Sequence, residues 1–137
     1  IDEKDKLLIV DLLTWMHQKK VDYTNTFCHL MNDEFKKDKN YHDKEFEMWK
    51  KRWKERLLTN NNTPEKYIKL MRSVNPSIIP RNYKVEEVLK YALEGDLKKL
   101  NKFLSILKNP YQVNEQYLEY MVTPPFSQNK YQTFCGT

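Results

Sequence analysis

The side chains with most scope for chemistry in this sequence are Cys28 and Cys135, three histidines (His17, His29 and His42), and the run 49–56, in which Trp49 and Trp53 stand among five basic residues. Nucleophilic catalysis needs a thiol or hydroxyl within reach of a base, and Cys28 with His29 is the nearest pair along the chain. Adjacent residues on a helix point about 100° apart, so the two do not face each other and Cys28 reads as a small apolar helix residue. The histidines lack the i, i+4 spacing of helical metal ligands and read as surface residues. The run 49–56 has the residue types that stack on bases and neutralise phosphates. Phe46, Trp49, Trp53 and Leu57 also recur at steps of three and four, with Glu47 ahead of Lys50 and Lys51, which is the pattern of a structural helix face. We adopt the structural reading. A small basic helical module that binds nucleic acid is the alternative, and calmodulin-type recognition is weaker still. A phosphate-binding loop needs glycines so that amides can approach the anion, and the chain has only Gly95 and Gly136. No catalytic, cofactor-binding or metal-ligating residue is assigned within it.

The elements that must position these residues read as helices throughout, because no stretch alternates apolar and polar residues long enough for a sheet strand. A first, well-buried helix runs from Asp5 to about Lys20 on Leu8, Leu12, Trp15 and Met16, with Ile9 and Leu13 widening its face. Asp22 or Thr24 caps a second, with Phe27, Leu30, Met31 and Phe35 as its stripe. Asp43 opens a third, acids at its start and bases after them, as the helix dipole favours. Thr63-Pro64 starts a fourth that reaches about Arg72. Asn75-Pro76 and Pro80 stop helical propagation and give an extended connector. Asn82 caps a fifth helix to about Glu94 on Val85, Val88, Leu89 and Ala92. Gly95 ends it and Asp96 caps a sixth on Leu97, Leu100, Phe103, Leu104 and Leu107. A short helix around residues 115–121 follows Asn109-Pro110. The fold expected is all-α, an irregular bundle of about six or seven helices with an extended C-terminal tail.

At 137 residues the chain fits one domain, and its 39% hydrophobic and 13% aromatic content puts it outside the disordered class. No apolar run approaches the length of a membrane span; the strongest is broken by Asp11. The first residue is Ile1, without the basic flank or cleavage site of a signal peptide, so the chain reads as part of a longer polypeptide. Two widely separated cysteines give neither a disulfide framework nor a zinc spacing, which makes a reducing, cytoplasmic setting the default. A formal charge of +5 is ordinary for a soluble surface and decides nothing about polyanions. The tail carries Phe126, Tyr131 and Phe134 with only Lys130 as a charge, a composition suited to docking rather than to solvated disorder.

Taken in order, Asn75-Pro76, Ile79-Pro80-Arg81-Asn82, Val85-Glu86-Glu87, Leu89, Ala92, Gly95-Asp96, Pro110-Tyr111, Pro124-Pro125 and Tyr131-Gln132-Thr133-Phe134-Cys135-Gly136-Thr137 resemble the carboxyl end of the selenoprotein O family. Asp22-Tyr23-Thr24-Asn25-Thr26-Phe27 resembles a further signature, so the likeness runs from about residue 22 to the last. The resemblance implies a parent protein with a kinase-like (pseudokinase) core, a nucleotidyltransferase that binds ATP in an inverted orientation and transfers AMP to Ser, Thr or Tyr hydroxyls of proteins (AMPylation). ATP and magnesium are then cofactors of the parent, and none belongs to this chain. The nucleotide- and metal-contacting residues lie upstream, and no motif here corresponds to them. Residues 1–121 are then a non-catalytic helical C-terminal region, and 122–137 an aromatic tail that docks on the absent core. Cys135 stands where some relatives have selenocysteine and others cysteine, which implies a redox-responsive tether. The implied partners are the parent's own core and its protein substrates, with no nucleic acid and no membrane. Two departures stand out: Tyr83-Lys84 where many relatives have His-Arg, and Cys28 where Arg is frequent. Roles that depend on those side chains are not carried over.

Overall fold

The computed structural model describes residues 2–31, 39–59, 63–112 and 115–123. Among them are seven α-helices, two short 3-10 turns and no strand, as the sequence implied. The length allowed a single domain, yet the contacts divide the chain into two compact units, residues 1–76 and 77–137. The division falls inside the connector marked by Asn75-Pro76 and Pro80.

Unit 1 begins with α1 (Glu3–Lys19). Asp2 caps it: its carboxylate accepts the Asp5 amide at 2.9 Å, and the Asp5 carboxylate accepts the Asp2 amide at 3.1 Å. This reciprocal box starts the helix ahead of Asp5, the expected first residue. Leu12, Trp15 and Met16 are buried and Leu8 half-buried, but Ile9 and Leu13 are exposed, so only one side of this helix is covered. In α2 (Tyr23–Met31) the Asp22 carboxylate accepts the Asn25 amide at 2.8 Å. Its buried residues are Thr26, Cys28, His29, Leu30 and Met31, while Phe27 is half-buried and Phe35 lies outside the described residues. A 3-10 turn at Lys39–His42 delivers Tyr41 to the core, and α3 (Lys44–Leu58) follows Asp43. α4 (Pro64–Val74) is capped by Thr63, whose hydroxyl accepts the Lys66 amide, with Pro64 in the first turn. The core gathers Leu12, Trp15, Met16, Leu30, Tyr41, Phe46 and Trp49, with Leu8, Val21, Phe27, Trp53 and Met71 packed against it.

Unit 2 opens with extended chain in which the Ser77 and Ile78 amides both donate to the Pro110 carbonyl, at 2.7 and 3.2 Å. In α5 (Asn82–Leu93) the cap position is Arg81, one residue before the Asn82 expected there, and no side chain bonds the end. Gly95, at φ 90°, adopts a left-handed conformation that a β-carbon disfavours. It turns the chain so that α6 (Lys98–Leu107) packs back on α5. The cap position of α6 is Leu97, one residue after the Asp96 expected there, and the Asp96 carboxylate accepts the Lys98 amide at 2.9 Å just ahead of the helix. A 3-10 turn (Glu115–Tyr117) leads into α7 (Leu118–Met121). Ile78, Val88, Phe103, Ile106, Tyr120 and Met121 are buried, whereas Leu89, Leu97 and Leu104, read as buried from their spacing, are about half exposed. The tail from Pro124 onward, with Cys135, lies outside the described residues.

Candidate functional site

Unit 1 carries an apolar groove of about 370 Å³ whose lining comes from all four of its helices. Leu12, Leu30 and Trp49 are buried at its base, with Trp53, Phe27 and Met71 half-buried beside them. Its edges are Ile9 (50% exposed) and Leu13 (45%) from α1, Tyr23 (61%) from α2 and Leu70 (65%) from α4. Asn75 is its sole amide side chain. Leu30, Trp53 and Tyr67 also belong to an adjoining depression of about 310 Å³ that is bordered by Lys50 and Lys54. Among the described residues no carboxylate lines either hollow.

A ladder of rings holds this surface in shape. Trp15 stacks on Phe46 at 4.5 Å between centroids, Phe46 on Trp49 at 5.9 Å and Trp49 on Trp53 at 5.8 Å, and Trp53 meets Tyr67 edge-on at 5.6 Å. Both buried indoles also find acceptors. Trp49 Nε1 donates to the Leu8 carbonyl at 2.8 Å, and Trp15 Nε1 donates to Asp43 Oδ2 at 2.7 Å, with Lys19 Nζ on Asp43 Oδ1 at 3.2 Å. The Trp15 bond, then Lys19, hold the Asp43 carboxyl below the usual carboxylate range. Asp43 was legible as a helix start, but its carboxylate serves Trp15 and Lys19 and makes no capping bond. Arg56 forms a two-point pair with Asp5, at 2.6 and 3.1 Å, which likewise lowers Asp5, and Arg52 reaches Asp11 at 2.7 Å.

These bonds decide how the run 49–56 is used. Trp49 is buried, Trp53 is stacked against it, and Arg52 and Arg56 are bound to acids of α1. These four side chains serve the packing of unit 1, while Lys51 and Lys54 stand exposed. His17 and His42 are exposed, but His29 is buried, stacked on Tyr41 at 4.2 Å, which corrects its assignment to the surface. The cause is that α2 is covered beyond its apolar stripe, with Thr26, Cys28, His29, Leu30 and Met31 all buried. Its covered side includes Thr26, whose hydroxyl donates to the Asp22 carbonyl at 2.7 Å and lies 3.2 Å from the Tyr41 hydroxyl. Nothing in the apolar spacing of α2 signals that a threonine and a histidine turn inward. Cys28 is buried as expected of a small apolar residue, its Sγ 3.9 Å from the Pro76 carbonyl. Among the described residues no group of three or more His, Cys, Asp or Glu is arranged to hold a metal ion, and no helix is long and apolar enough to cross a membrane.

In unit 2 Tyr83 and Lys84 have local roles. The Tyr83 hydroxyl donates to the Val122 carbonyl at 2.5 Å. Lys84 Nζ bonds Glu87 at 3.0 Å, stands 3.7 Å from Glu119 and lies 5.5 Å from the centre of the Tyr120 ring. Burial alone would lower the Lys84 pKa, but the bond and charge of Glu87 outweigh it and raise it. Glu87 is held down in turn by Lys84, and by Lys99 at 3.2 Å.

The chain matches the family model described as protein adenylyltransferase SelO over residues 1–108. It is 52% identical over 136 residues to the protein nucleotidyltransferase YdiU of Pelagibacter ubique. It is 41% identical over 136 residues to that of Clostridium beijerinckii and 39% over 137 to that of Nitrosococcus oceani. Each comparison covers 99% of this chain and 28% of the relative. The chain therefore spans a little over a quarter of the length of the curated relatives it matches, and the likeness includes residues 1–21, ahead of the signature at Asp22. With most of its length matched by the family model, the chain belongs to the SelO family of protein adenylyltransferases.

Proposed function

We propose that this chain is the non-catalytic, carboxyl-terminal helical region of a cytoplasmic protein adenylyltransferase. Its kinase-like core uses ATP and magnesium to transfer AMP to Ser, Thr or Tyr hydroxyls of other proteins, and this region packs against that core as its support. One conjunction carries the reading. Nearly the whole chain aligns with only 28% of its relatives, and unit 1 leaves an apolar groove uncovered, with its rim in solvent. An apolar face of this kind on a piece of a longer protein is where the remainder packs. The chemistry points the same way. A triphosphate and its magnesium ion need a cradle of backbone donors and carboxylates, and Gly95, one of two glycines, is used to turn α5 into α6. Reacting groups therefore belong to the rest of the protein. Cys135 belongs to the same reading, as a redox-responsive tether between the tail and the core.

With labelled ATP, the complete protein is expected to label protein substrates and the 137-residue chain alone to label none. Transfer by the isolated chain overturns the proposal. Cys135→Ser in the complete protein should keep its activity under reducing conditions and abolish its response to oxidant. Equal activity of the oxidised and reduced protein overturns the tether.

A further inference from the structure

We infer that the hairpin of α5 and α6 presents a leucine surface that seats against the part of the parent polypeptide outside these residues, a contact separate from the groove of unit 1. It rests on the packing role proposed above and adds to it a seat in unit 2. Two-sidedness is the first ground. In α6 the buried residues are Phe103 and Ile106, yet Leu97, Leu100, Leu104 and Leu107 recur at steps of three, four and three, the spacing of a helix seam that meets another helix. Leu100 and Leu107 are half-buried, while Leu97 and Leu104 keep 52% and 48% of their surface. α5 repeats the arrangement: Val88 is buried, and Leu89 and Leu93, one turn apart, are 48% and 91% exposed. A helix that is apolar on a covered side and again on an open one is built for a second neighbour.

Fixity is the second ground. The Gly95 amide donates to the Ala92 carbonyl at 3.0 Å and the Asp96 amide to the Tyr91 carbonyl at 2.9 Å, the paired closure of a helix that ends on a left-handed glycine. Lys99 of α6 also bonds Glu87 of α5 at 3.2 Å and lies 3.5 Å from the centre of the Tyr91 ring. Leu93 and Leu97, on either side of this turn, are therefore held in place before anything meets them, and a partner need not order them. Area is the third ground, and it selects the occupant. The four open leucines amount to between two and three fully exposed ones, about 150–300 Å² at the area that a buried leucine represents. A stable pair of separate molecules needs about 800 Å² from each, so this surface alone does not hold a second copy. A segment of the same polypeptide needs far less, because the chain keeps it near at an effective concentration that a separate molecule lacks. The relatives supply the length: these residues match 28% of theirs, which leaves more than twice as much chain outside.

The test uses the intact protein, with photoreactive benzoylphenylalanine replacing Leu93 in one preparation and Leu97 in another. After irradiation and digestion, both probes should capture one stretch of the same polypeptide outside these 137 residues, at a yield that dilution does not change. Capture of a second copy, at the groove of unit 1 or elsewhere, or of residues within the 137, overturns the inference and leaves the packing role standing. Hydroxyl-radical labelling decides the case in which neither probe captures anything, since a bulky probe can itself block the seat. Leu89, Leu93, Leu97 and Leu104 should be several-fold less reactive in the intact protein than in this chain alone, at every dilution. Protection that is lost on dilution marks a second copy and overturns the inference. If the four leucines are equally reactive in both while Ile9, Leu13 and Leu70 of the groove become protected, the inference falls and the packing role stands. If the groove residues are not protected either, both fall.

Discussion

In unit 1 the buried side chains are chiefly aromatic, and their polar atoms are tied to partners far away in sequence: Trp15 to Asp43, Trp49 to the Leu8 carbonyl, the Tyr41 hydroxyl to Thr26. In unit 2 many of the side-chain ties lie in a partly exposed lattice of Lys84, Glu87, Lys99, Lys102 and Glu119 laid over the Tyr91 and Tyr120 rings. The two devices respond differently to damage. A side chain that fills the core and also satisfies a buried polar group takes both contributions with it when it is removed. A member of a solvated lattice has neighbours that re-pair, and salt already screens it. Unit 1 is thus a stiff platform, which is what a surface needs if another part of the protein is to seat on it without first ordering it.

The largest effect tests that stiffness. Phe46→Ala empties a fully buried site that touches Trp15, Tyr41, His29 and Trp49, and should cost about 3–5 kcal/mol. All three tryptophans, Trp15, Trp49 and Trp53, belong to unit 1, so fluorescence during urea unfolding reports that unit. A loss as small as that of a surface substitution would break the contrast. Trp49→Phe is milder: it keeps a ring in the stack and deletes the donor to Leu8. About 1 kcal/mol for the bond is expected, plus a smaller contribution for the vacated space, read in the same experiment through Trp15 and Trp53.

Acid sharpens the contrast further. The folded Asp43 pKa lies below its ordinary value, so its contribution is complete above the unfolded carboxylate pKa of about 3.9 and drains away as pH falls through the folded value. Asp5, held down by Arg56, adds to the same limb. Glu87 gives unit 2 an acid limb of the same sign. Salt should separate them, because the Debye length shrinks to about 3 Å at 1 M. The Trp15 bond to Asp43 survives that screening, whereas the exposed Glu87–Lys99 pair is weakened by it. Unfolding midpoints measured below about pH 4, with and without salt, should show unit 1 still losing stability with acid at high salt. Asp43→Asn, which cannot titrate, should flatten that loss, and an unchanged acid limb in that variant would discard the assignment.

Much of this architecture was legible because its signals are local. Thr63-Pro64, Gly95-Asp96 and the prolines at 76 and 80 act within a few residues, and the spacing of Phe46, Trp49, Trp53 and Leu57 requires only a helix. What was missed depends on partners. Periodicity groups residues onto one face without saying whether anything covers that face. Hence Ile9, Leu13, Leu89 and Leu104 read as buried and are exposed, while His29 reads as exposed and is buried. The groove had one faint signal. From Leu7 to Leu13 only Asp11 is not apolar, more than a single covered side of α1 requires, which is the mark of a helix with neighbours on more than one side. Asp2 and Asp5 show the limit at finer scale. Acids three residues apart both suit a helix start, and only the reciprocal bonds decide that Asp2 is the cap.

The smallest expected effect is the most direct test of how unit 2 is held. Lys102 lies 3.3 Å from Glu119, and both side chains are about half exposed, at 54% and 53%. Its ammonium is also 5.7 Å from the centre of the Tyr120 ring, too far and too wet for a large cation–π contribution. Removing it leaves Glu119 with Lys84 at 3.7 Å, so the acid is not stranded. Lys102→Ala should therefore cost less than about 1 kcal/mol at low salt and nothing measurable at high salt. Amide hydrogen exchange at Val88 and Phe103, buried in unit 2, provides the reading without involving any tryptophan. A larger loss that persists in salt would mean that Lys102 acts through packing of its stem on Tyr120 rather than through charge. The two units would then be fastened by the same means.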